Sequence, residues 1–228
     1  MGFRVGIVAV ALSLVTGAPA RAQQGDLSRV SDAATVLSEI MEARDGGIPR
    51  AVLDKAEGIA IFPGVIRAGF VIGGQFGHGI ICVRDADTGA WSAPAFLKIA
   101  GGSFGAQIGG QSTDLILIVQ SRLGVQRLLT NQFKIGGEAS VAAGPVGRSA
   151  EASTDIQLRA MILSYSRTRG LFAGVALNGS TLAEDRDANR RVYGRDLGSR
   201  DVLGEPSARA DLPEPIVKLR NSLKHYAR

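Results

Sequence analysis

The spacing of apolar residues changes from a helical period to a strand period near residue 58. The opening stretch "LSRVSDAATVLSEIMEARDGG" predicts an amphipathic helix that ends at a pair of glycines. Its apolar residues recur at spacings of three and four: Leu27, Val30, Ala34, Leu37 and Met41. A second helix is predicted from Pro49, which suits a first helical turn, to Gly58.

After Gly58 the apolar residues repeat at every second position, which predicts strands. "IRAGFVIGGQFGHGI" predicts one strand with a single buried face, formed by its largely apolar even positions: Ile66, Ala68, Phe70, Ile72, Phe76 and Ile80. "DLILIVQ" is apolar on both faces and predicts a central strand. "RDADTGAW" predicts the turn of a hairpin, and "SRLGVQRLLTN" predicts a short helix capped by Ser121.

Three more glycine-rich stretches show the same alternation. Each has one predicted apolar face, formed in turn by Phe104, Ala106 and Ile108; by Phe133, Ile135, Ala139 and Val141; and by Leu171, Ala173, Val175 and Leu177. Glycine inside a strand marks a bend, a bulge or a second backbone lying close, so the sheet should curl.

A final helix is predicted in "LPEPIVKLRNSLKHYAR", where Ile216, Leu219 and Leu223 form one stripe. The predicted fold class is therefore α+β. It has a strongly curled, largely antiparallel, glycine-rich sheet or small barrel-like core, flanked by N-terminal and C-terminal helices.

The first 22 residues have the pattern of a secretory signal peptide. Arg4 precedes an apolar run that is short for a membrane anchor, and small residues follow at Ala20 and Ala22. We expect cleavage near Ala22 and a periplasmic or secreted protein in which residues 23–228 form a single domain with a helical C-terminal extension. Cys82 is the only cysteine, so an internal disulfide is excluded.

Charge is unevenly distributed over the 228 residues, whose formal net charge is +5. Residues 23–119 carry 7 basic and 10 acidic side chains, whereas residues 120–228 carry 17 and 11. The halves are therefore −3 and +6. A basic second half suits a surface that meets phosphates or anionic lipid, and scattered solvated charge is the other interpretation.

The segment "GGSFG" matches the G-x-S-x-G pattern of serine hydrolases, with Ser103 in the place of the nucleophile. A nucleophile elbow needs a strand, a sharp turn and a helix, but the residues after Ser103 continue to alternate as a strand. The only histidines are His78 and His225. We therefore predict that the protein is not an enzyme, and a hydrolase using Ser103 is a distant alternative.

Other chemistry is predicted to be absent. Two distant histidines, one cysteine and no clustered carboxylates do not make a metal site, and "DADTG" predicts a plain turn rather than a calcium loop. "GGQFGHG" lacks the spacing of a dinucleotide site, so no cofactor is expected. The basic half lacks interleaved aromatics and any reader motif, so nucleic acid is not an expected partner.

Four ordered blocks resemble the SYLF domain family: "KAEGIAIFPGVIRAGFVIGGQFGHGI", "WSAPAFLKIAGGSFGAQIGGQSTDLILIV", "FKIGGEASVAAGPVGR" and "YSRTRGLFAGVALNGSTL", followed by "NRRVYG". The resemblance covers roughly residues 30–197. It implies a lipid-binding module without catalytic residues. Eukaryotic members bind phosphoinositides and some bind or bundle actin, whereas the bacterial relatives look like envelope or secreted proteins.

The resemblance also implies that the N-terminal helix helps to engage membranes, but here that helix has more acidic than basic residues and should be repelled by anionic headgroups. We therefore expect phospholipid or a membrane surface to be bound by basic residues of the second half: Lys134, Arg148, Arg167, Arg169, Arg190 and Arg191. For each of these, a solvated surface cation is the alternative. A structural module that binds an envelope protein is the alternative function.

Overall fold

The computed structural model describes residues 17–43, 47–69, 72–104, 109–130, 132–135, 140–146, 160–168, 171–175, 177, 179–204 and 212–227. The helices are α1 (Gly17–Met41), α2 (Arg50–Leu53), α3 (Arg122–Leu128), α4 (Arg186–Tyr193), α5 (Ser199–Gly204) and α6 (Glu214–Tyr226). The strands are β1 (Gly58–Gly69), β2 (Ile72–Val83), β3 (Ala95–Phe104), β4 (Gly109–Val119), β5 (Phe133–Lys134), β6 (Val141–Ala143), β7 (Ile162–Thr168), β8 (Leu171–Gly174) and β9 (Ser180–Glu184).

All nine of these strands belong to one curled sheet, an open half-barrel with helices at both ends of the chain. Eight strands follow the order β5-β9-β3-β2-β1-β4-β7-β6, and β8 pairs with β7. Every pairing is antiparallel except that of β6 with β7. The predicted α+β class, with a curled and largely antiparallel sheet, is confirmed.

The sheet is buried on both faces along half of its length. On the outer face, α1, α4 and α6 cover a core that includes Ile59, Ile80 and Ile116. On the inner face, the curl of the sheet encloses a second core that includes Phe62, Leu97 and Leu117, closed by α3 and α5. The run 115–119 is fully buried, which confirms the prediction of a strand covered on both sides.

The predicted helices and the hairpin turn are found, with some changes in their bounds. In α6 the stripe of Ile216, Leu219 and Leu223 is buried as predicted. Ser121 caps α3 by accepting a hydrogen bond from the Gly124 N–H at 3.0 Å. The second helix is shorter than predicted and ends at Leu53. The Arg-rich tail forms α4 and α5, which the sequence analysis did not predict.

Helix α1 begins at Gly17 and passes without interruption through Ala22, the predicted cleavage site. Its outer-face contacts come from later residues, including Val30, Leu37 and Ile40, all of them buried. Among the described residues, no helix is both long enough and apolar enough to cross a bilayer.

The prediction for "IRAGFVIGGQFGHGI" was wrong in two respects. The stretch belongs to two strands, β1 and β2. Among its even positions whose burial the structure describes, only Ile80, towards the end of β2, is buried. Ile66 is 59% exposed and Phe76 is 49% exposed, while the odd-position Gln75 is buried. The cause is that the covering helices stop short of this end of the sheet, so its outer face meets solvent.

A bulge in β1 separates its covered and uncovered halves. The register with β4 shifts between Phe62 and Val65, and Gly64 within that interval has a φ of 59°. This left-handed backbone favours glycine. The Gly64 N–H donates to Asp114 Oδ1 at 2.9 Å, which fixes the kink.

Two other predicted faces need correction. "FKIGGEASVAAG" is not one strand: its described parts form β5 and β6, which stand at opposite ends of the strand order. Leu171 is 73% exposed, because its neighbour Phe172 instead packs against Tyr165, with ring centroids 5.4 Å apart. Phe70, Ala106, Ile108 and Ala139, from the predicted apolar faces, lie outside the described residues.

Candidate functional site

The uncovered end of the outer face carries an apolar patch. We call it the sheet-end patch and define it as Ile66, Ala68, Phe76 and Ala100, all of which are exposed. Ile66 pairs directly with Phe76 across β1 and β2, and Phe76 pairs with Ala100 across β2 and β3. Residues directly opposite in an antiparallel pair share a face, so these side chains form one surface.

A cationic border follows the patch on the side of β2 and β3. His78 and Lys98 are cross-strand partners, each next but one in sequence to a patch residue and on the same face. The His78 ring meets the Phe76 ring edge-on, with centroids 4.8 Å apart. Both side chains are only partly exposed, at 39% for His78 and 37% for Lys98.

Asp185 anchors this border from the first position before α4. Its carboxylate lies 3.2 Å from Lys98 Nζ and 3.3 Å from His78 Nδ1. Burial raises the pKa of Asp185, but hydrogen bonds from Lys98 and the Ala188 N–H outweigh it, and the net shift is downward. Burial, followed by the charge of Arg29, lowers the pKa of His78 despite Asp185. At pH 7 the imidazole is therefore neutral, and the positive charge of the border is that of Lys98.

An ion cluster borders the patch on the side of β4 and β7. Asp114 pairs with Arg167 in register, and its Oδ2 accepts from Arg167 Nη2 at 2.9 Å. Arg167 also pairs with Glu39 of α1. The same Asp114 holds the bulge glycine, Gly64, so the cluster joins the helix layer to the kink in β1.

The underside of the patch is closed. Gln75 is buried on the inner face, where it donates to Ser180 of β9 and accepts from Arg67 Nε at 3.0 Å. Gly101 lies so close to Ser180 that a Cβ there would approach the Ser180 Cα to 2.7 Å. The inner face of the sheet beneath the patch therefore packs against β9, and the patch is preorganised for binding.

Of the six basic residues predicted from the sequence, the structure describes four, and it does not bring those four together. Arg190 and Arg191 are adjacent in α4, while Lys134 of β5 and Arg167 of β7 lie near opposite ends of the strand order. Arg148 and Arg169 lie outside the described residues.

Three of the four described cations in that set already have carboxylate partners. Arg167 contacts Asp114 and Glu39, Arg190 lies 2.7 Å from Asp187, and Arg191 lies 2.6 Å from Asp26. Lys134 is exposed. The assignment of the six residues to lipid binding stays a prediction.

The surroundings of Ser103 are those of a strand. Ser103 lies within β3 opposite Gly73, and the next element along the chain is another strand, β4, instead of a helix. His78 pairs with Lys98, five residues from Ser103 along β3, which corresponds to about 17 Å. The elbow geometry that a serine nucleophile needs is not found in the described part of β3.

The turn predicted in "RDADTGAW" is found, and its first acidic residue, Asp85, forms hydrogen bonds within the turn. Asp85 Oδ1 accepts from the Thr88 N–H at 2.8 Å and from the Thr88 hydroxyl at 2.6 Å. Over the described ranges, no three His, Cys, Asp or Glu side chains are grouped so that they could hold a metal ion.

Sequence reasoning missed the residues that make the candidate site. The alternation correctly predicted that Ile66 and Phe76 share a face, but it wrongly predicted that this face is buried. His78 and Lys98 were not considered as a pair. The available signal was Pro63-Gly64, which interrupts an otherwise regular alternation and predicts a bend just before Ile66.

Comparison with known proteins gives a consistent set of relatives. Residues 100–226 match the family described as "Ysc84: Las17-binding protein actin regulator". "SH3 domain-containing protein PJ696.02" of Schizosaccharomyces pombe is 42% identical over 178 residues, which are 77% of this chain and 41% of that protein. "SH3 domain-containing YSC84-like protein 1" of Homo sapiens is 36% identical over 201 residues, which are 86% of this chain and 58% of that protein. "Protein YSC84" of Saccharomyces cerevisiae is 36% identical over 206 residues, which are 86% and 43%. The chain thus spans about half the length of the curated relatives it matches.

Proposed function

The chain belongs to the Ysc84 family of SYLF domains, and from this membership we propose that it is a non-catalytic module that binds the surface of an anionic phospholipid membrane. The observation that carries the proposal is the sheet-end patch, where the Ile66–Phe76 pair is exposed beside a lysine. The SYLF resemblance supports lipid as the ligand.

The energetics favour contact with an apolar environment. Full burial of an Ile or Phe side chain is worth about 1.5–3 kcal/mol, so transfer of two half-exposed side chains would contribute about 1.5–3 kcal/mol together. That is enough to change a partition constant by roughly tenfold to a hundredfold. Each strand of the patch pairs with a strand on either side, and its inner face is packed, so the backbone of the patch loses little conformational entropy on binding.

Charge would add to this at the border of the patch. Lys98 lies two residues from Ala100 on the same face, and 37% of its side chain is exposed, so it can meet a phosphate while the patch enters the interface. Lys134 and Arg190, the exposed cations of the set predicted from the sequence, would act at longer range. Binding should therefore weaken with added salt but should not vanish.

The same proposal includes the place of action. We propose that residues 1–22 direct the chain out of the cytoplasm and are removed, so that the protein meets membranes from the periplasm or the outside of the cell. The apolar run of residues 5–15 and the small residues at Ala20 and Ala22 support this.

The proposal is tested by co-sedimentation of the purified protein with vesicles of phosphatidylglycerol and phosphatidylcholine, and of phosphatidylcholine alone. We expect stronger binding to the anionic vesicles. The double variant Ile66→Ser/Phe76→Ser should weaken binding at least tenfold, because it removes the apolar transfer term. Lys98→Gln should weaken binding to anionic vesicles alone.

Leu123→Ser is the matched control, since Leu123 is 49% exposed like Phe76 but lies on α3, next to the opposite end of β1. It should leave binding unchanged. Lys134→Gln tests the assignment made from the sequence in the same assay. If the protein does not sediment with either vesicle, or if Leu123→Ser acts like the double variant, the lipid proposal is wrong.

A protein-binding module is the second candidate function. It is favoured by the names of the relatives, which include "LAS seventeen-binding protein 3" of Saccharomyces cerevisiae, 34% identical over 203 residues. In that case the sheet-end patch would contact a protein of the cell envelope. The vesicle measurement separates the two candidates, because a patch specific for a protein leaves this chain in the supernatant with both kinds of vesicle.

A further inference from the structure

A second surface, far from the sheet-end patch, has the character of a ligand site. A cavity of about 910 Å³ lies between the turn that joins β2 to β3 and the exposed side of α6. Arg84, at the cavity, lies eight positions after Phe76, just past the end of β2. Along an extended strand this corresponds to a distance of about 26 Å. The two surfaces share no residue.

The cavity is cationic. Arg84, Arg220, Lys224 and His225 line it, and none of its described lining residues is a carboxylate. The cations come from two separate elements: the end of β2 and the side of α6 opposite its buried stripe. Cations in the last turn of a helix commonly complement its dipole, which accounts for Lys224. Arg84 follows β2 and Arg220 precedes the last turn of α6, so the helix dipole does not explain these two residues.

The two arginines are held in place around Trp91. The Arg84 guanidinium stacks over the Trp91 ring at 5.0 Å from its centroid, and Arg84 Nη2 donates to the Leu53 carbonyl at 3.2 Å. Arg220 Nε donates to the Trp91 carbonyl at 3.0 Å. The indole N–H donates to the Ala227 carbonyl at 3.2 Å, which ties the turn to the end of α6. Guanidinium groups fixed in this way are suited to planar or tetrahedral oxyanions.

The remaining lining is partly apolar. Val217 is exposed on the same side of α6, and Trp91 and Ala227 form the buried floor. A small inorganic ion would fill only a fraction of this volume. An anion that carries an apolar group would use both kinds of lining.

We propose that this C-terminal pocket binds an organic anion, a phosphate or carboxylate attached to a short apolar group. The headgroup contacts Arg84, Arg220 and Lys224, and the apolar group lies along Val217 towards Trp91. The headgroup chemistry is shared by free phosphate and by single-chain lipids, and the experiment below distinguishes these two sources.

Trp91 makes the test direct, because it is the only tryptophan in the chain. We expect its intrinsic fluorescence to change saturably on titration of the purified protein with octyl phosphate, and calorimetry to give the same affinity. Titrations with inorganic phosphate and with octanol are run in parallel. Tighter binding of octyl phosphate than of inorganic phosphate supports the proposal and identifies a lipid-like ligand. Equal affinities would show that the apolar group contributes nothing and would overturn the proposal in favour of the free anion.

Lys224→Gln should weaken octyl phosphate binding about fivefold to tenfold through loss of a charge-assisted contact. Lys218→Gln is the matched control: it removes the same charge from the same helix, but Lys218 is outside the cavity lining and pairs with Glu214. It should leave the affinity unchanged, as should Ile66→Ser/Phe76→Ser. Octanol binding as tightly as octyl phosphate, an equal effect of Lys218→Gln, or no saturation in either measurement would each overturn the proposal.

Discussion

At the scale of single residues, glycine determines how closely neighbouring parts of this sheet can approach. Gly79 lies in the middle of β2, and a Cβ there would overlap the Ile61 carbonyl and the Phe62 ring. Gly101 is equally close to the backbone of β9. The abundance of glycine in the strands is thus explained by close contacts at particular positions, as the sequence analysis expected in general terms.

Gly79→Ala should therefore lower the free energy of unfolding by about 1–3 kcal/mol, the usual cost of overpacking a well-filled interior. Urea denaturation measures this, with the denaturant slope unchanged. Gly102→Ala is the control, because a Cβ at Gly102 would have no atom within 4 Å. Equal stability of the two variants would contradict the close-packing explanation.

At the scale of elements, α1 contains both the end of the predicted signal peptide and the first residues that pack on the sheet. The helix continues through Ala22, but the residues that hold it on the sheet come later in the chain. Asp26 pairs with Arg191 of α4, Arg29 with Asp185, and Glu39 with Arg167 of β7. The residues that cleavage after Ala22 would remove come before all of these contacts in the chain.

We accordingly expect the secreted protein to begin at Gln23 and to melt within about 2 °C of the uncleaved chain, because the core contacts described for α1 all come from Leu27 onward. Intact-mass spectrometry of the secreted protein and a thermal melt of both forms check this. A secreted protein that retains residues 1–22, or a large loss of melting temperature on their removal, would contradict this expectation.

At the scale of the whole molecule, two buried carboxylates join elements that are far apart in the sequence. Asp26 of α1 accepts from Arg191 of α4, and Asp185 contacts Arg29, His78 and Lys98. Asp185 also caps α4 through the Ala188 N–H. This network connects α1, α4, β2 and β3 at the edge of the sheet-end patch, so it sets where the helix layer stops.

Asp185→Asn should destabilise the protein by about 3 kcal/mol at pH 7, because Asp185 is nearly fully buried and its loss leaves cations without their partner. The folded pKa of Asp185 lies below its ordinary value of 3.8, so its contribution is complete above about pH 4. That contribution is lost as the pH falls through the folded pKa.

The variant should therefore show a flatter dependence of stability on pH below pH 4 than the natural protein does. Denaturation curves between pH 2 and 7 measure this difference. The exposed Asp187→Asn in the same helix is the control and should change stability by less than about 0.5 kcal/mol. An identical acid dependence for Asp185→Asn would show that this carboxylate does not stabilise the fold.

Much of the fold could be predicted from local patterns. The 115–119 run, the cap at Ser121 and the stripe of α6 were all recognised correctly, because each depends on neighbours within a few residues. The candidate site could not be predicted in the same way. Alternation at Ile66 and Phe76 shows that the two side chains share a face, but it does not show which elements cover that face.

The sequence by itself determined the α+β class, the glycine-rich curl, the hairpin turn and the family, because propensity, periodicity and motif order are properties of the chain. The tertiary structure decided which apolar face is covered, which cations already have carboxylate partners, and that the β2–β3 turn lies against α6. The physical reason is that burial and ion pairing depend on contacts between residues that lie 50 to 160 positions apart, such as Gly64 with Asp114 and Arg29 with Asp185.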